Sequence, residues 1–213
     1  MTPSENRDPI VIADAGPLIR LAAAGLLESM RGLNRRIVIV DRVEDEVCGD
    51  PSKPHAEDVS RWLAQMGPAI VRARTVEGAG IEALRDHART SQDFEILKRK
   101  LRHSGERAIR EYVEDLGPGD VHEVLVVYED YDIPRLMQAA QAAVTLMTTR
   151  AFAARLVEWG VNRDAANDLE RIRDRYSLKP SVHVQMEPTA EDHEDVDGLT
   201  PPPPRSAGRR SSP

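Results

Sequence analysis

The chain has one cysteine, few aromatic residues and no long apolar run. Cys48 alone cannot close an internal disulfide, which fits a reducing compartment and a fold held by its core. No CxxC pair and no Cys/His cluster suggests zinc. Aromatics make up 4% of the 213 residues, so Ala, Leu and Val must fill the interior. No segment reaches about 18 uninterrupted apolar residues, the length a membrane-spanning helix needs. Met1 to Pro9 is polar and lacks the apolar run of a signal peptide. Together these absences predict a soluble, cytoplasmic protein. Strong positive charge is also missing. The net charge of −7 excludes indiscriminate coating of nucleic acid, which needs a positive field. It leaves room for local phosphate contacts, because basic residues gather at Lys98-Arg99-Lys100 with Arg102 and His103, and at Arg31, Arg35 and Arg36. A run such as 98–100 is more often a solvated face than a binding patch.

Familiar catalytic signatures are absent too. There is no GxxxxGK[ST] phosphate loop, no GxGxxG turn and no Ser-His-Asp or Cys-His arrangement, and the six histidines are scattered.

What is present is an alternation of buried-strand and helix signals. Ile10-Val11-Ile12-Ala13, Ile37-Val38-Ile39-Val40, Val144-Thr145-Leu146-Met147 and a strand over Val121 to Val127 with Leu125-Val126-Val127 as its core are short segments of the kind a doubly covered parallel strand needs. Ile70-Val71 and Val182 to Met186 read as edge strands. Between them lie helical stripes. Leu18, Leu21 and Leu26 follow the Ala15-Gly16-Pro17 turn. Asp41 reads as the N-cap of a short helix ending near Cys48, with Glu44 in the capping-box position. Val59, Trp62 and Leu63 mark another helix, and residues 77–103 predict one or two exposed helices. Ser104 reads as the N-cap of a helix over about 105–116, with a Gly117-Pro118-Gly119 turn after it. A helix then starts at Pro134 and Arg135, Thr148 or Thr149 caps the next one, and a last helix runs over about 164–176. This pattern predicts an α/β fold, a three-layer α/β/α sandwich with a mostly parallel central sheet. Residues 1–186 make up that domain. Residues 187–213, with an acidic patch, four consecutive prolines and a basic Ser/Arg end, predict a disordered tail.

The acidic residues are placed unusually. Asp14 stands just past the carboxyl end of the first strand, where α/β sheets place their chemistry. Glu106 shares its face with Ile109 and Val113, so a carboxylate in the first helical turn points toward the body of the domain. It either lies wet at the rim or lines a site. Glu46 shares an inward stripe with Val43 and Val47, whereas Glu44 and Asp45 read as solvated or capping. Glu129, Asp130 and Asp132 leave the carboxyl end of the third strand, beside the expected place of Asp14. Carboxylates converging on one sheet edge repel each other in a dry cleft. Hard divalent cations relieve that repulsion, and oxygen ligands suit Mg²⁺ or Mn²⁺. Two such ions about 4 Å apart hold a phosphodiester, activate water and stabilise the leaving oxygen, with no covalent nucleophile needed. A phosphatase built on a strand-end aspartate nucleophile wants a second acid two residues on, and position 16 is glycine.

The series Val11-Ile12-Ala13-Asp14-Ala15-Gly16-Pro17-Leu18-Ile19, Val43-Glu44-Asp45-Glu46-Val47, Gly105-Glu106-Arg107-Ala108-Ile109 and Val126-Val127-Tyr128-Glu129-Asp130 resembles the PIN-domain family, the nuclease domain of VapC-type toxins of bacterial toxin–antitoxin systems. The resemblance covers roughly residues 10–160. It implies a Mg²⁺- or Mn²⁺-dependent endoribonuclease with Asp14, Glu46, Glu106 and Asp130 at the catalytic, metal-holding positions, assisted by Glu129 or Asp132. It also implies an RNA substrate, an antitoxin protein as partner and a homodimer. The family often has a hydroxyl residue after the first aspartate and a threonine or second aspartate opening the fourth motif. Here Ala15 and Gly16, and Tyr128 and Glu129, stand there. The second expectation is therefore a catalytically inert PIN-like module that binds a protein or RNA.

Overall fold

The computed structural model describes residues 9–116, 123–130, 132–139 and 143–186. The expected tail over 187–213 and the Gly117-Pro118-Gly119 turn lie outside the described residues.

Four apolar runs become the middle of one sheet. Strands β1 (Ile10–Ala13), β2 (Arg36–Val40), β3 (Ile70–Ala73), β4 (Val124–Tyr128), β5 (Val144–Thr148) and β6 (His183–Met186) stand in the order β3-β2-β1-β4-β5-β6. Every pairing is parallel except that of β5 with β6. All four residues of β1 and all five of β4 are buried. Central strands can be apolar along their whole length only when helices cover both faces, as they do here. The chain is an α/β protein with a six-stranded, mostly parallel sheet flanked by helices. Ile70-Val71 and Val182 to Met186 mark the two edges, as their shortness predicts.

The order of the strands fixes where a site can be. From β1 the chain moves outward through β2 to β3, then returns to the other side of β1 for β4 and β5. The reversal falls between β1 and β4, and the crevice at the carboxyl ends of two such strands is where open α/β sheets bind ligands. The β1–β4 ladder matches Ala13 with Val127 and continues one step further, with the Asp14 N–H donating to the Val127 carbonyl at 2.9 Å. Asp14 thus sits at the head of that crevice.

The helices are α1 (Ala15–Ala23), α2 (Asp41–Cys48), α3 (Ala56–Met66), α4 (Val76–Ser91), α5 (Glu95–Leu101), α6 (Ser104–Glu114), α7 (Ile133–Leu136), α8 (Thr149–Glu158) and α9 (Ala165–Arg171), with a 3-10 stretch at Leu27–Leu33. Thr148 caps α8. The last helix is shorter than its expected range over 164–176. Among the described residues no helix is long and apolar enough to cross a membrane.

Two expected caps differ. Ser104 is the first residue of α6, not its cap; His103 precedes the helix with left-handed backbone, φ 56°. The Ser104 hydroxyl is buried and accepts from Arg42 instead. Asp41 likewise begins α2 rather than capping it, and it accepts from the Thr75 backbone N–H at 3.0 Å and hydroxyl at 2.8 Å. Ser104 bonds a partner distant in sequence in place of a local N–H, whereas Asp41 keeps a local bond, accepting from the Arg42 N–H at 2.8 Å, and adds the distant Thr75.

The segment between β3 and α6 is not a loose insertion. Helix α4 is capped by Thr75, which accepts from the Gly78 N–H at 3.0 Å. Glu111 of α6 reaches back and accepts from the N–H groups of Val76 and Glu77. Three of the orphan donors of α4 are therefore satisfied by side chains, two of them from α6. Gly78 allows the close approach: a Cβ there would lie 2.1 Å from Asp41 Oδ2. Gly80, one step along the same helix, has open space around it. Gly78→Ala is expected to displace the Asp41 carboxylate from Thr75 and destabilise the chain by about 1–2 kcal/mol. Gly80→Ala is expected to stabilise it by roughly 0.5–1 kcal/mol, since only helix propensity changes. Urea unfolding of the two variants checks the opposite signs.

Candidate functional site

Four of the predicted acids meet at the crevice. Asp14 leaves β1 as the residue before α1, with extended backbone and no side-chain capping bond. Glu106 enters from the first turn of α6, and Asp130 follows β4 by two residues. Glu46 comes from α2 and lies at the solvent rim. Asp14 and Glu106 are buried at the base, 7% and 9% exposed. Gly105, next to Glu106, marks where Asp14 and Glu46 converge. A Cβ on it would lie 3.2 Å from Glu46 Oε2 and 3.5 Å from Asp14 Oδ1, so glycine leaves the space open to both carboxylates.

Their charges act on one another. The Asp14 pKa is pushed up to about 7, first by burial and then by the negative charge of Glu106, with Glu46 and Asp130 adding to it and the Ala15 N–H opposing. Glu46 is raised as well, by the protein around the cleft and then by Glu106; Lys53 and Arg42 only partly offset this. Among the described residues no cation pairs with the Asp14 carboxylate. A buried carboxylate left without a counter-charge is expensive, and neutralisation by a proton is the usual remedy. A bound divalent cation is the other.

The structure brings Glu129 and Asp132 elsewhere. Glu129 is buried against the first turn of α1, with Oε1 3.9 Å from Arg20 Nε and Oε2 3.4 Å from the Lys179 N–H. Asp130 instead lines the cleft, with Oδ2 3.9 Å from His103 Nδ1. Asp132 is exposed, and its N–H donates to Asp130 Oδ1 at 2.9 Å. Its role is a turn that orients Asp130, leaving Oδ2 to face the cleft.

Sequence reasoning missed the groups that surround the acids. His103, counted only with a basic surface patch, turns inward. Its Nδ1 is 3.2 Å from Glu106 Oε1 and 3.9 Å from Asp130 Oδ2. Ligand atoms of His103, Glu106 and Asp130 all lie within 4.8 Å of one another, a spacing that can hold one metal ion. The signal was a histidine three residues before an inward-facing glutamate. Asp45, expected to be solvated, is half-buried and clamped by Arg42 and by Arg85 of α4. Burial alone would raise its pKa, but the hydrogen bonds from Arg85 and Arg42 outweigh that and hold it below the ordinary range. Arg42 is 4% exposed and also donates from Nε and Nη2 to Ser104 Oγ, both at 3.1 Å. One guanidinium thus ties α2 to the turn of α6 that carries Glu106. The i, i+3 spacing of Arg42 and Asp45 was the available signal.

The cleft over these groups holds about 440 Å³. It is lined by the acids Asp45, Glu46, Glu106 and Asp130 and by the cations Arg42, Lys53, Arg85 and Arg102, and Asp14 lies buried behind that lining. That arrangement suits an anion held over cations: the acids take positive ions and the basic side chains meet negative groups. Comparison with protein-family models, with curated proteins and with solved structures finds no match to this chain. The chemistry rests on the geometry of the site itself.

Asp14 also sets a pH dependence. The folded chain holds the Asp14 proton up to about pH 7, whereas the unfolded chain releases it near 3.8. Between those values the folded state binds more protons, so stability is greatest at the acid end and falls as pH rises. Glu46 contributes with the same sign. With EDTA present, unfolding free energy is expected to drop by about 2–3 kcal/mol between pH 5 and pH 8. Asp14→Asn is expected to flatten most of that fall, as read by denaturant titrations at a series of pH values. A level wild-type profile would contradict the burial of an unpaired Asp14.

Proposed function

We propose that the chain is a divalent-metal-dependent endoribonuclease of the PIN-domain type, the toxin of a toxin–antitoxin pair. The observation that carries this reading is the convergence of Asp14, Glu46, Glu106 and Asp130 on one crevice between β1 and β4. The donor set fits Mg²⁺ or Mn²⁺, which take carboxylate oxygens. The buried, uncompensated Asp14 supports the fit, because a cation removes the repulsion that raises its pKa. A divalent ion bound there supplies charge for a phosphodiester and acidity for an attacking water.

The side chains have distinct parts in this scheme. Asp14 and Glu106, buried and held by opposite walls, hold the ion. Glu46 and Asp130, nearer to solvent, complete its surroundings. Arg42 acts through Ser104 and keeps the first turn of α6 in place, so it positions Glu106. Lys53 and Arg102, which line the cleft, meet phosphates on either side of the scissile bond. RNA as substrate, an antitoxin as partner and a homodimer follow from the family resemblance.

Asp14→Asn and Glu106→Gln are expected to reduce metal-dependent RNA cleavage by at least about 100-fold while the far-ultraviolet dichroism is unchanged. Undiminished cleavage in both would sink the proposal. Metal binding without cleavage of any RNA would favour the inert PIN-like binding module. Lys53→Ala and Arg102→Ala are each expected to weaken RNA binding irrespective of sequence, and to lower the slope of log affinity against log salt by about 0.7. Titrations of single-stranded RNA at several salt concentrations read that slope.

A further inference from the structure

The metal centre proposed above uses oxygen ligands alone. The structure adds a nitrogen. His103 lies immediately before α6 with left-handed backbone, φ 56°, and this turns its ring over the cleft that it lines. Two ligand atoms on one ion, each at about 2.1 Å, lie roughly 3–3.5 Å apart. His103 Nδ1 stands 3.2 Å from Glu106 Oε1, already within that range, and 3.9 Å from Asp130 Oδ2. A small rotation of the half-exposed Asp130 closes the remainder. The cluster is therefore not merely acidic, and beside its Glu106 lies the buried Asp14, 3.5 Å from where a Cβ on Gly105 would stand and without a cation partner among the described residues.

The other ring nitrogen is accounted for. Arg102 Nε donates to His103 Nε2 at 3.2 Å, so in this arrangement the ring proton sits on Nδ1 and points at Glu106. Coordination through Nδ1 moves that proton to Nε2. Arg102 is exposed, so it would be free to turn to solvent once Nε2 carries the proton.

We infer that His103 is a ligand, with Glu106 and Asp130, to one divalent ion of this centre, and that it makes the site select Mn²⁺ over Mg²⁺. The inference rests on the reading of the crevice as a metal site. Its chemistry is general. Mg²⁺ favours oxygen in a near-ideal octahedron and keeps its waters, whereas imidazole is a good ligand for first-row transition ions. Removing the imidazole leaves the oxygen donors, so it should penalise Mn²⁺ and spare Mg²⁺.

The test uses the full chain and Mn²⁺ alone. Bound Mn²⁺ is examined by pulsed electron paramagnetic resonance for coupling to a directly coordinated nitrogen. The wild type is prepared with natural and with ¹⁵N-labelled histidine, and compared with His103→Gln and Asp14→Asn. Calorimetry of Mn²⁺ and Mg²⁺ gives the affinities. Expected is a nitrogen coupling that changes with the isotope and vanishes in His103→Gln. In that variant Mn²⁺ binds about tenfold more weakly and Mg²⁺ changes by less than about threefold. Mn²⁺ binding that needs Asp14 but carries no nitrogen coupling would overturn the role of His103 and leave the metal centre standing. A coupling that survives in His103→Gln would overturn it equally. No binding of Mn²⁺ to the labelled wild type would remove both the ligand and the centre. The labelled wild type needs no substitution, so a folding defect in a variant does not blur the result.

Discussion

Asp14 is held where a charge is least welcome. It is buried at the head of two fully covered strands, its own N–H continues their ladder, and three other carboxylates lie near it. The fold must offset this in some way, and much of the surrounding structure can be understood as doing so. Helix α1 starts beside it and brings the favourable end of its dipole. Glycine at position 105 keeps a methyl group out of the space the carboxylates share. Arg42 and Lys53 lower the pressure on Glu46 without reaching Asp14. A soluble chain with no use for such a group would place an asparagine or an apolar residue there. A proton or a cation relieves that repulsion, and the metal centre proposed above takes the second course.

The support around that centre is made of contacts distant in sequence. Arg42 joins Ser104 and Asp45, and Asp45 joins Arg85. Three helices are fixed by one buried guanidinium and one half-buried carboxylate. Buried ion pairs gain little net stability, because desolvation offsets attraction. Their benefit here is geometric: the turn bearing Glu106 is set against α2, which bears Glu46.

The sheet and the position of the acids were legible because they depend on local pattern. Short, largely apolar runs alternating with helical stripes read as doubly covered strands, and an acid just past such a run lies at its carboxyl end. Asp14 and Asp130 were read in that way, and Glu46 and Glu106 from the inward stripes of their helices. Glu129 was read as a helper of Asp130 because neighbouring acids look alike in sequence, and its partners Arg20 and the Lys179 N–H come together with it only in the folded chain. Ser104 and Asp41 were read as caps because local hydrogen bonds were the visible option. Arg42 and Thr75 were competitors that only the folded chain brings near. His103 was hidden by its neighbours: within a basic run it reads as surface, and nothing local announces a left-handed residue that turns the ring inward.

One feature of α4 bears on how this chain comes apart. Its first turn is bonded by Glu111 of α6, and Thr75 before it is bonded by Asp41 of α2. Its middle is bonded through Arg85 to Asp45 of α2. The segment read from the sequence as one or two exposed helices is therefore fastened to both helices that carry the crevice's glutamates. Amide protons of α4, α2 and α6 would then exchange as one cooperative unit rather than in separate openings. Cutting or deleting the segment would loosen the crevice before it touched the sheet. For this architecture, the added helices act as part of the frame that the acids need.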